Sequence, residues 1–222
     1  VQWLTTGFLL VNGIMIPISA WLINKFSSKK LYITAMSTFL IGTIICFVAQ
    51  DFGMLLTGRL VQAAGVGVSM PLLQTIMLSI FPPEKRGAAM GTTGIVIGLA
   101  PALGPTLSGW IIDSYTWRDL FGMVIPIVVL VLILASFLMK NVIQLSNPSI
   151  DVLSVILSTL GFGSLLYGFS SVGDKGWGSP QVYGFLIVGA IVLCLFTYRQ
   201  LHLEQPFLEL RVFRSEEHTS EL

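Results

Sequence analysis

The chain has 222 residues, of which 54% are hydrophobic and 10% are charged, and its formal net charge is +1. A soluble domain carries about 25% charged residues, so this composition excludes a soluble globular fold and predicts an integral membrane protein with the lipid bilayer as its first partner. The small net charge, without clustered Lys and Arg, also argues against a nucleic-acid partner.

Seven apolar stretches are each long enough to cross a bilayer, which takes about 20 residues in a helix. The charged residues fall almost entirely between these stretches, and only Arg59 lies clearly inside one. We therefore predict an all-α integral membrane protein, a polytopic bundle with about seven transmembrane helices. In chain order the predicted spans are 3–23, 31–50, 54–80, 88–112, 121–139, 152–172 and 182–198.

The basic residues predict the orientation of this bundle, because short cytoplasmic loops carry an excess of Lys and Arg. If the loop after the first span is cytoplasmic, eight cations lie on that side, and two, Arg118 and Lys175, lie on the other. The start of the chain is then outside and residue 213 is inside. The eight are Lys25, Lys29, Lys30, Lys85, Arg86, Lys140, Arg199 and Arg211.

The first cytoplasmic loop is a very short turn between two helices, and its motif contains Asn24, Lys25, Lys29 and Lys30. One interpretation is ordinary retention of positive charge on the cytoplasmic side. The other is a cytoplasmic latch, in which small residues let two helix ends approach and the cations meet the negative carboxyl end of a neighbouring helix. The sequence leaves both interpretations open.

Polar and flexible side chains recur on one face of the third span, where Arg59, Gln62, Met70 and Gln74 follow helical spacing. An arginine inside the membrane is costly unless water or a partner solvates it, so this face predicts a water-accessible transport pathway for varied apolar ligands. The alternative is that Arg59 snorkels to the nearby outer interface. Asn12, in a thin polar stripe on the first span, faces either this pathway or a neighbouring helix.

Small residues and prolines recur in the fourth span, most of them on one face. Glycine lets membrane helices pack closely, and proline removes a backbone hydrogen bond and bends a helix. Close packing alone explains many of these glycines, whereas two prolines on one ridge favour a bend at a moving interface. The residues are Gly94, Gly98, Pro101, Gly104, Pro105 and Gly109.

These motifs resemble those of the major facilitator superfamily, and specifically of its fourteen-span drug:proton antiporters, over about residues 3–213. The first cytoplasmic loop resembles G-x-L-A-D-R-x-G-R-R at Leu22, Lys25 and Lys29, with Ala20 at the first Gly and Asn24 at the Asp. The loop also departs from the motif at Ser27 and Ser28, where the family has Gly and Arg.

Other stretches carry the same resemblance. Asp151 and the loop at 176–180 resemble the two extra central helices that distinguish fourteen-span from twelve-span members. Three further matches are Arg59, Gln62, Gly65 and Gly67 with R-x-x-Q-G-x-G, Gly104, Pro105 and Gly109 with G-P-x-x-G-G, and Trp117, Arg118, Phe121 and Pro126 with W-R-W-x-F…P.

The resemblance implies a domain organisation in which the chain covers about helices two to eight of fourteen. Residues 1–140 are then five helices of the N-terminal transporter bundle, with its first helix missing, and residues 141–213 are the two extra central helices and a cytoplasmic linker. Residues 214–222 differ abruptly in composition and resemble the translation of a sequencing-library adapter. We interpret them as a non-native tail, the alternative being a natural polar tail.

The implied function is proton-coupled export of small amphipathic or cationic drug-like molecules, by alternating access, across the bacterial plasma (inner) membrane. The resemblance implies no cofactor, no ATP and no metal, and in a Gram-negative cell it implies a periplasmic or outer-membrane partner. The sequence has no His, Cys or paired-carboxylate constellation, so a membrane enzyme is not expected. The alternatives are a transporter of one specific metabolite on the same scaffold and a non-functional truncated remnant.

Overall fold

The computed structural model describes residues 2–143, 145 and 151–203, and within these ranges it contains no strand. Seven α-helices are each long and apolar enough to cross a membrane, which confirms the predicted all-α bundle. The predicted tail at 214–222 lies outside the described residues. The helices are α1 (Gln2–Lys25), α2 (Ser28–Phe47), α3 (Phe52–Ile80), α4 (Pro83–Ser114), α5 (Asp119–Leu138), α6 (Val152–Lys175) and α7 (Pro180–His202).

Several helices begin or end away from the predicted limits, because capping and backbone geometry rather than hydropathy set helix ends. Asp51 caps α3, where its Oδ1 accepts a hydrogen bond from the backbone N–H of Met54 at 2.8 Å. Pro83 opens α4 upstream of the predicted span 88–112, since proline suits the first turn, whose N–H groups lack intrahelical partners. In the other direction, α2 ends at Phe47 rather than at residue 50.

The third helix is the centre of the described bundle. It packs against α2 and against α1, and α5 packs on α2. The α6–α7 hairpin joins the bundle where α6 packs on α1. Although a short turn connects α1 to α2, these two helices touch each other little, because each lies on α3.

The fourth helix is the least attached. It makes few contacts with α3 and α5, and Ala89 and Ile111 are its buried residues. Both lie toward its ends, so the middle of α4 has an exposed surface among the described helices.

A cluster of buried apolar side chains joins α1, α2 and α3. Met139 and Ile143, which follow α5, pack against it and tie the start of the linker to the bundle. The hydrophobic effect adds little here, because lipid acyl chains are as apolar as the side chains. In lipid such a cluster therefore stabilises the bundle through close van der Waals packing. Its members are Ile23, Leu31, Ala35, Val68, Leu72 and Ile76.

The predicted orientation can be tested by chemical labelling at Lys85 and Gly178, both of which are exposed. We expect Gly178→Cys to react with a membrane-impermeant maleimide on spheroplasts and Lys85→Cys to resist it, because the charge bias puts their loops on opposite sides. The background carries Cys194→Ser, since Cys194 is exposed whereas Cys46 is buried. Labelling of both engineered positions from outside contradicts the topology.

Candidate functional site

Three polar side chains form a hydrogen-bonded chain between α3 and α2. Arg59 Nη1 donates to Gln62 Oε1 at 2.9 Å, and Gln62 Nε2 donates to Thr43 Oγ1 at 2.8 Å. The Thr43 hydroxyl then donates to the Phe39 carbonyl of its own helix at 2.8 Å. Gln62 and Thr43 are buried, so this chain fixes the amide with its oxygen toward the cation.

Neutral groups hold the Arg59 charge. The guanidinium carbon lies 4.3 Å from the centroid of the Phe8 ring on α1, a cation–π contact. Among the described residues, the one ion pair joins Arg199 to Asp151. No described carboxylate therefore neutralises Arg59. A cation inside a membrane is stabilised by water or by an anion that reaches it. The arrangement can therefore attract a carboxylate or another anionic group.

The polar chain forms where α2 and α3 approach closely at two glycines. A Cβ added at Gly42 would lie 2.6 Å from the Gln62 backbone nitrogen, and one added at Gly58 would lie 2.5 Å from Cys46 Sγ and 2.9 Å from the Gly42 carbonyl oxygen. Real Cβ atoms essentially never come within 3.0 Å of such atoms. The two backbones are therefore in direct contact, as small residues allow in membrane helices.

The other predicted pathway residues do not join this chain. Met70 is 46% exposed and Gln74 is also exposed, whereas Gln62 is 3% exposed. With 3.6 residues per turn, Gln62 and Gln74 are about 120° apart around the helix axis, so the predicted face spans two different surroundings. Asn12 lies beside Gly67, where an added Cβ would be 3.1 Å from Asn12 Oδ1. The place of these residues in a transport pathway stays a prediction.

Lys29 connects the turn between α1 and α2 to α5. Its Nζ donates to the Ser136 carbonyl at 2.6 Å, and its backbone N–H donates to Asn141 Oδ1 at 3.4 Å. Ser136 is in the last turn of α5, where carbonyl groups lack intrahelical partners and the helix dipole is negative. The contact has the geometry of the predicted latch, whose role in transport stays a prediction.

The other residues of this motif make different contacts. Asn24 Nδ2 donates to the Ala20 carbonyl of its own helix at 3.0 Å. Lys25 Nζ lies 4.6 Å from the centroid of the Trp21 ring. Lys30 is exposed. The three lysines therefore differ in their surroundings, and Lys29 is the one that reaches a neighbouring helix end.

The glycine–proline ridge of α4 faces open space in the described chain. The helix continues through Pro101 and Pro105, and both prolines are exposed. No described helix packs closely on this ridge, because α4 is buried only toward its ends among the described residues, and its close packing on another helix stays a prediction. Its role in antiport stays a prediction. Apart from the helix's own nearby backbone, no described atom lies within 4 Å of a Cβ added at Gly94, Gly98, Gly104 or Gly109.

A second polar cluster joins the start of α6 to the end of α7. Arg199 Nε and Nη2 donate to the two carboxylate oxygens of Asp151 at 3.0 and 3.1 Å. Ser154 Oγ donates to Asp151 Oδ2 at 2.6 Å and accepts from Gln200 Nε2 at 2.6 Å. Hydrogen bonding from Arg199 holds the pKa of Asp151 below its ordinary value. The hydrogen-bonding groups of these four residues are partners of one another, so the cluster stabilises the contact between α6 and α7.

Two buried serines that differ in their hydrogen bonding provide a test of this account. Ser28 and Ser154 are both fully buried, but Ser28 Oγ has no hydrogen-bond partner among the described residues. We expect Ser154→Ala to lower the free energy of unfolding by about 1–3 kcal/mol and Ser28→Ala to leave it unchanged or raise it by about 1 kcal/mol. Thermal unfolding of the purified full-length parent in detergent measures both, and equal losses contradict the assigned bonds.

Sequence reasoning found Arg59 and Gln62 but missed Phe8, which contacts Arg59, and Thr43, which accepts a hydrogen bond from Gln62. Thr43 and Phe8 belong to no motif, because the periodicity of one helix does not say which residue of another helix will face it. A usable signal was the spacing of Gly42 and Cys46, two small residues four apart on α2, since this pattern marks close helix contacts in membranes.

The chain is similar to a known family and to known proteins of that family. The family model described as Major Facilitator Superfamily matches residues 1–209. The chain is 59% identical over 212 residues to the uncharacterised MFS-type transporter YcnB of Bacillus subtilis, an alignment that covers 96% of this chain and 45% of that protein.

Two relatives carry functional names. The chain is 47% identical over 216 residues to the lincomycin resistance protein LmrB of Bacillus subtilis, covering 96% of the chain and 45% of LmrB. It is 30% identical over 215 residues to the multidrug export protein EmrB of Haemophilus influenzae, covering 96% of the chain and 42% of EmrB. The chain thus spans less than half the length of these curated relatives.

Proposed function

The chain belongs to the Major Facilitator Superfamily, and we propose on this premise that its full-length parent exports amphipathic or cationic drug-like molecules across the bacterial plasma membrane in exchange for protons. Two observations support the drug class: relatives bear the names lincomycin resistance protein and multidrug export protein, and the motifs resemble those of drug:proton antiporters. The seven helices, each long and apolar enough to cross a bilayer, support a location in the membrane.

Arg59 is the observation that supports proton coupling. A cation within the membrane favours the ionised form of a carboxylate near it. In the proposed cycle such a carboxylate comes from a helix outside residues 2–203, pairs with Arg59 when ionised and leaves it when protonated. Gln62 and Phe8 hold the guanidinium in place for this exchange, since the first accepts its hydrogen bond and the second covers its face.

Transport in this proposal proceeds by alternating access, with two helix bundles rocking around a midplane cavity. Helices α1–α5 supply part of one bundle, at whose centre α2 and α3 are in close contact. The proton gradient provides the free energy, so the cycle uses no ATP, no metal and no catalytic residue.

Dye transport into inverted membrane vesicles that contain the full-length parent tests this function. We expect accumulation of a cationic dye when an acid-inside pH gradient is imposed without ATP, and loss of that accumulation when a protonophore collapses the gradient. Vesicles from the same host without the transporter are the control. Accumulation that persists without the gradient, or transport confined to one polar metabolite, contradicts the proposal.

A further inference from the structure

A groove of about 380 Å³ runs between α1 and α2 with α3 as its floor. It exists because α1 and α2 each pack on α3 rather than on each other. The small residues Ala64 and Gly65 form part of the floor. Thr38 Oγ1 donates to the Thr34 carbonyl within α2 at 2.9 Å, so its hydroxyl is already satisfied. Apart from Lys30 at one end, the groove therefore offers an apolar surface.

The length of the groove matches one leaflet of a bilayer. It extends from Lys30, next to the first cytoplasmic loop, to Thr38 on α2 and Ala64 on α3. Thr38 follows Lys30 by 38 − 30 = 8 residues, which is about 12 Å along a helix. Half of a bilayer's hydrocarbon core is about 15 Å thick. An acyl chain that enters at the cytoplasmic surface would therefore fill the groove and stop near the midplane.

Lys30 provides a positive charge at the mouth of this groove. The Lys29 ammonium is bound to the Ser136 carbonyl, and that of Lys25 lies over the Trp21 ring. Lys30, by contrast, is exposed and has no polar partner within the described ranges. Cytoplasmic leaflets contain anionic lipids, and basic residues near that surface attract their head groups.

We propose that the groove binds an anionic phospholipid of the cytoplasmic leaflet, with its phosphate on Lys30 and one acyl chain along Thr38 and Ala64. The apolar lining, the leaflet-length reach and the unengaged cation at one end together select this occupant over a soluble anion, which would gain nothing from the groove. The inference depends on membrane insertion and on the predicted orientation, and it is independent of drug export.

Native mass spectrometry of the purified full-length parent in detergent tests this site. The probes are phosphatidylglycerol and phosphatidylcholine with identical acyl chains, added in competition. We expect the parent to prefer phosphatidylglycerol by about fivefold, the contribution of one cation near an anionic surface, and Lys30→Gln to bind both lipids equally. Lys85→Gln is the matched control, because Lys85 is also an exposed cytoplasmic lysine but does not line the groove.

A second variant tests the acyl-chain part of the site. Thr38→Leu adds bulk inside the groove and is expected to lower retention of both lipids, with helical content unchanged by circular dichroism. The proposal is overturned if Lys30→Gln keeps the preference for phosphatidylglycerol, or if the parent retains neither lipid, which would mean that protein covers the groove. Lys30→Gln alters an exposed side chain, so it decides the question even where Thr38→Leu impairs folding.

Discussion

Replacing Arg59 by alanine is expected to abolish proton-coupled export by the full-length parent while the protein still inserts in the membrane. The substitution removes the charged donor from the buried oxygen of Gln62 and the cation from the face of Phe8. It also removes the cost of holding a cation in hydrocarbon, so insertion should not suffer. Dye accumulation in energised vesicles, at matched expression, is expected to fall to the level of vesicles without the transporter.

Two further variants separate the charge of Arg59 from its geometry. Arg59→Lys keeps the charge but loses the planar fork that contacts Gln62 and Phe8 together, so we expect partial activity. Gln62→Leu keeps the cation and removes its acceptor, and it should impair transport in the same direction. Near-parental accumulation by Arg59→Ala would instead assign this arginine to anchoring at the outer interface, the alternative that the sequence leaves open.

Gly58→Ala is expected to destabilise the bundle at the point where α2 and α3 are in backbone contact. The new Cβ would lie 2.9 Å from both the Cys46 backbone nitrogen and the Gly42 carbonyl oxygen, so α2 and α3 would have to separate. Overpacking of this kind costs about 1–3 kcal/mol. We expect a lower thermal midpoint in detergent and reduced abundance in the membrane, because the same shift also disturbs the Gln62–Thr43 hydrogen bond.

Gly184→Ala is the matched control for this prediction. Gly184 is also a helical glycine, on α7, and a Cβ added there meets no described atom within 4 Å apart from the nearby backbone of α7 itself. Alanine has the higher helix propensity, so this change should leave the thermal midpoint unchanged or raise it slightly. If Gly58→Ala behaves like Gly184→Ala, then α2 and α3 are not in backbone contact, and the placement of the polar chain is wrong.

The number of spans could be predicted from the sequence, because each membrane helix must meet the same requirement independently of its neighbours. It needs about 20 apolar residues, with every backbone N–H and C=O group hydrogen-bonded within the helix. The span predicted at 54–80 is α3, found at Phe52–Ile80. Helix ends were less predictable. The span predicted at 88–112 is α4, found at Pro83–Ser114, because Glu84 and Lys85 continue the helix although they are charged.

Contacts between helices could not be predicted in the same way. Arg59 is recognisable because a charge within an apolar stretch is costly wherever the helix packs. Thr43, which accepts a hydrogen bond from Gln62, is not recognisable, since several hydroxyls lie on α2 and only the packing of the helices determines which one faces α3. Glycines show the same limit. A Cβ added at Gly65 or Gly67, both in a motif that the sequence identified, would lie 2.5 Å from an atom of a neighbouring helix, whereas one added at Gly98 meets no described atom of another helix within 4 Å. A glycine permits a backbone to approach, but the arrangement of the bundle decides which glycines are used.

The sparse contacts of α4 bear on how the ribosome and the translocon build this protein. Chains emerge amino end first, and α3 can dock on α1 and α2 through residues already delivered. The middle of α4 meets none of them. The helix is nevertheless stable in lipid without these contacts, because its backbone N–H and C=O groups are hydrogen-bonded within the helix. We therefore expect α4 to be the last of these seven helices to lose its rotational freedom during biogenesis.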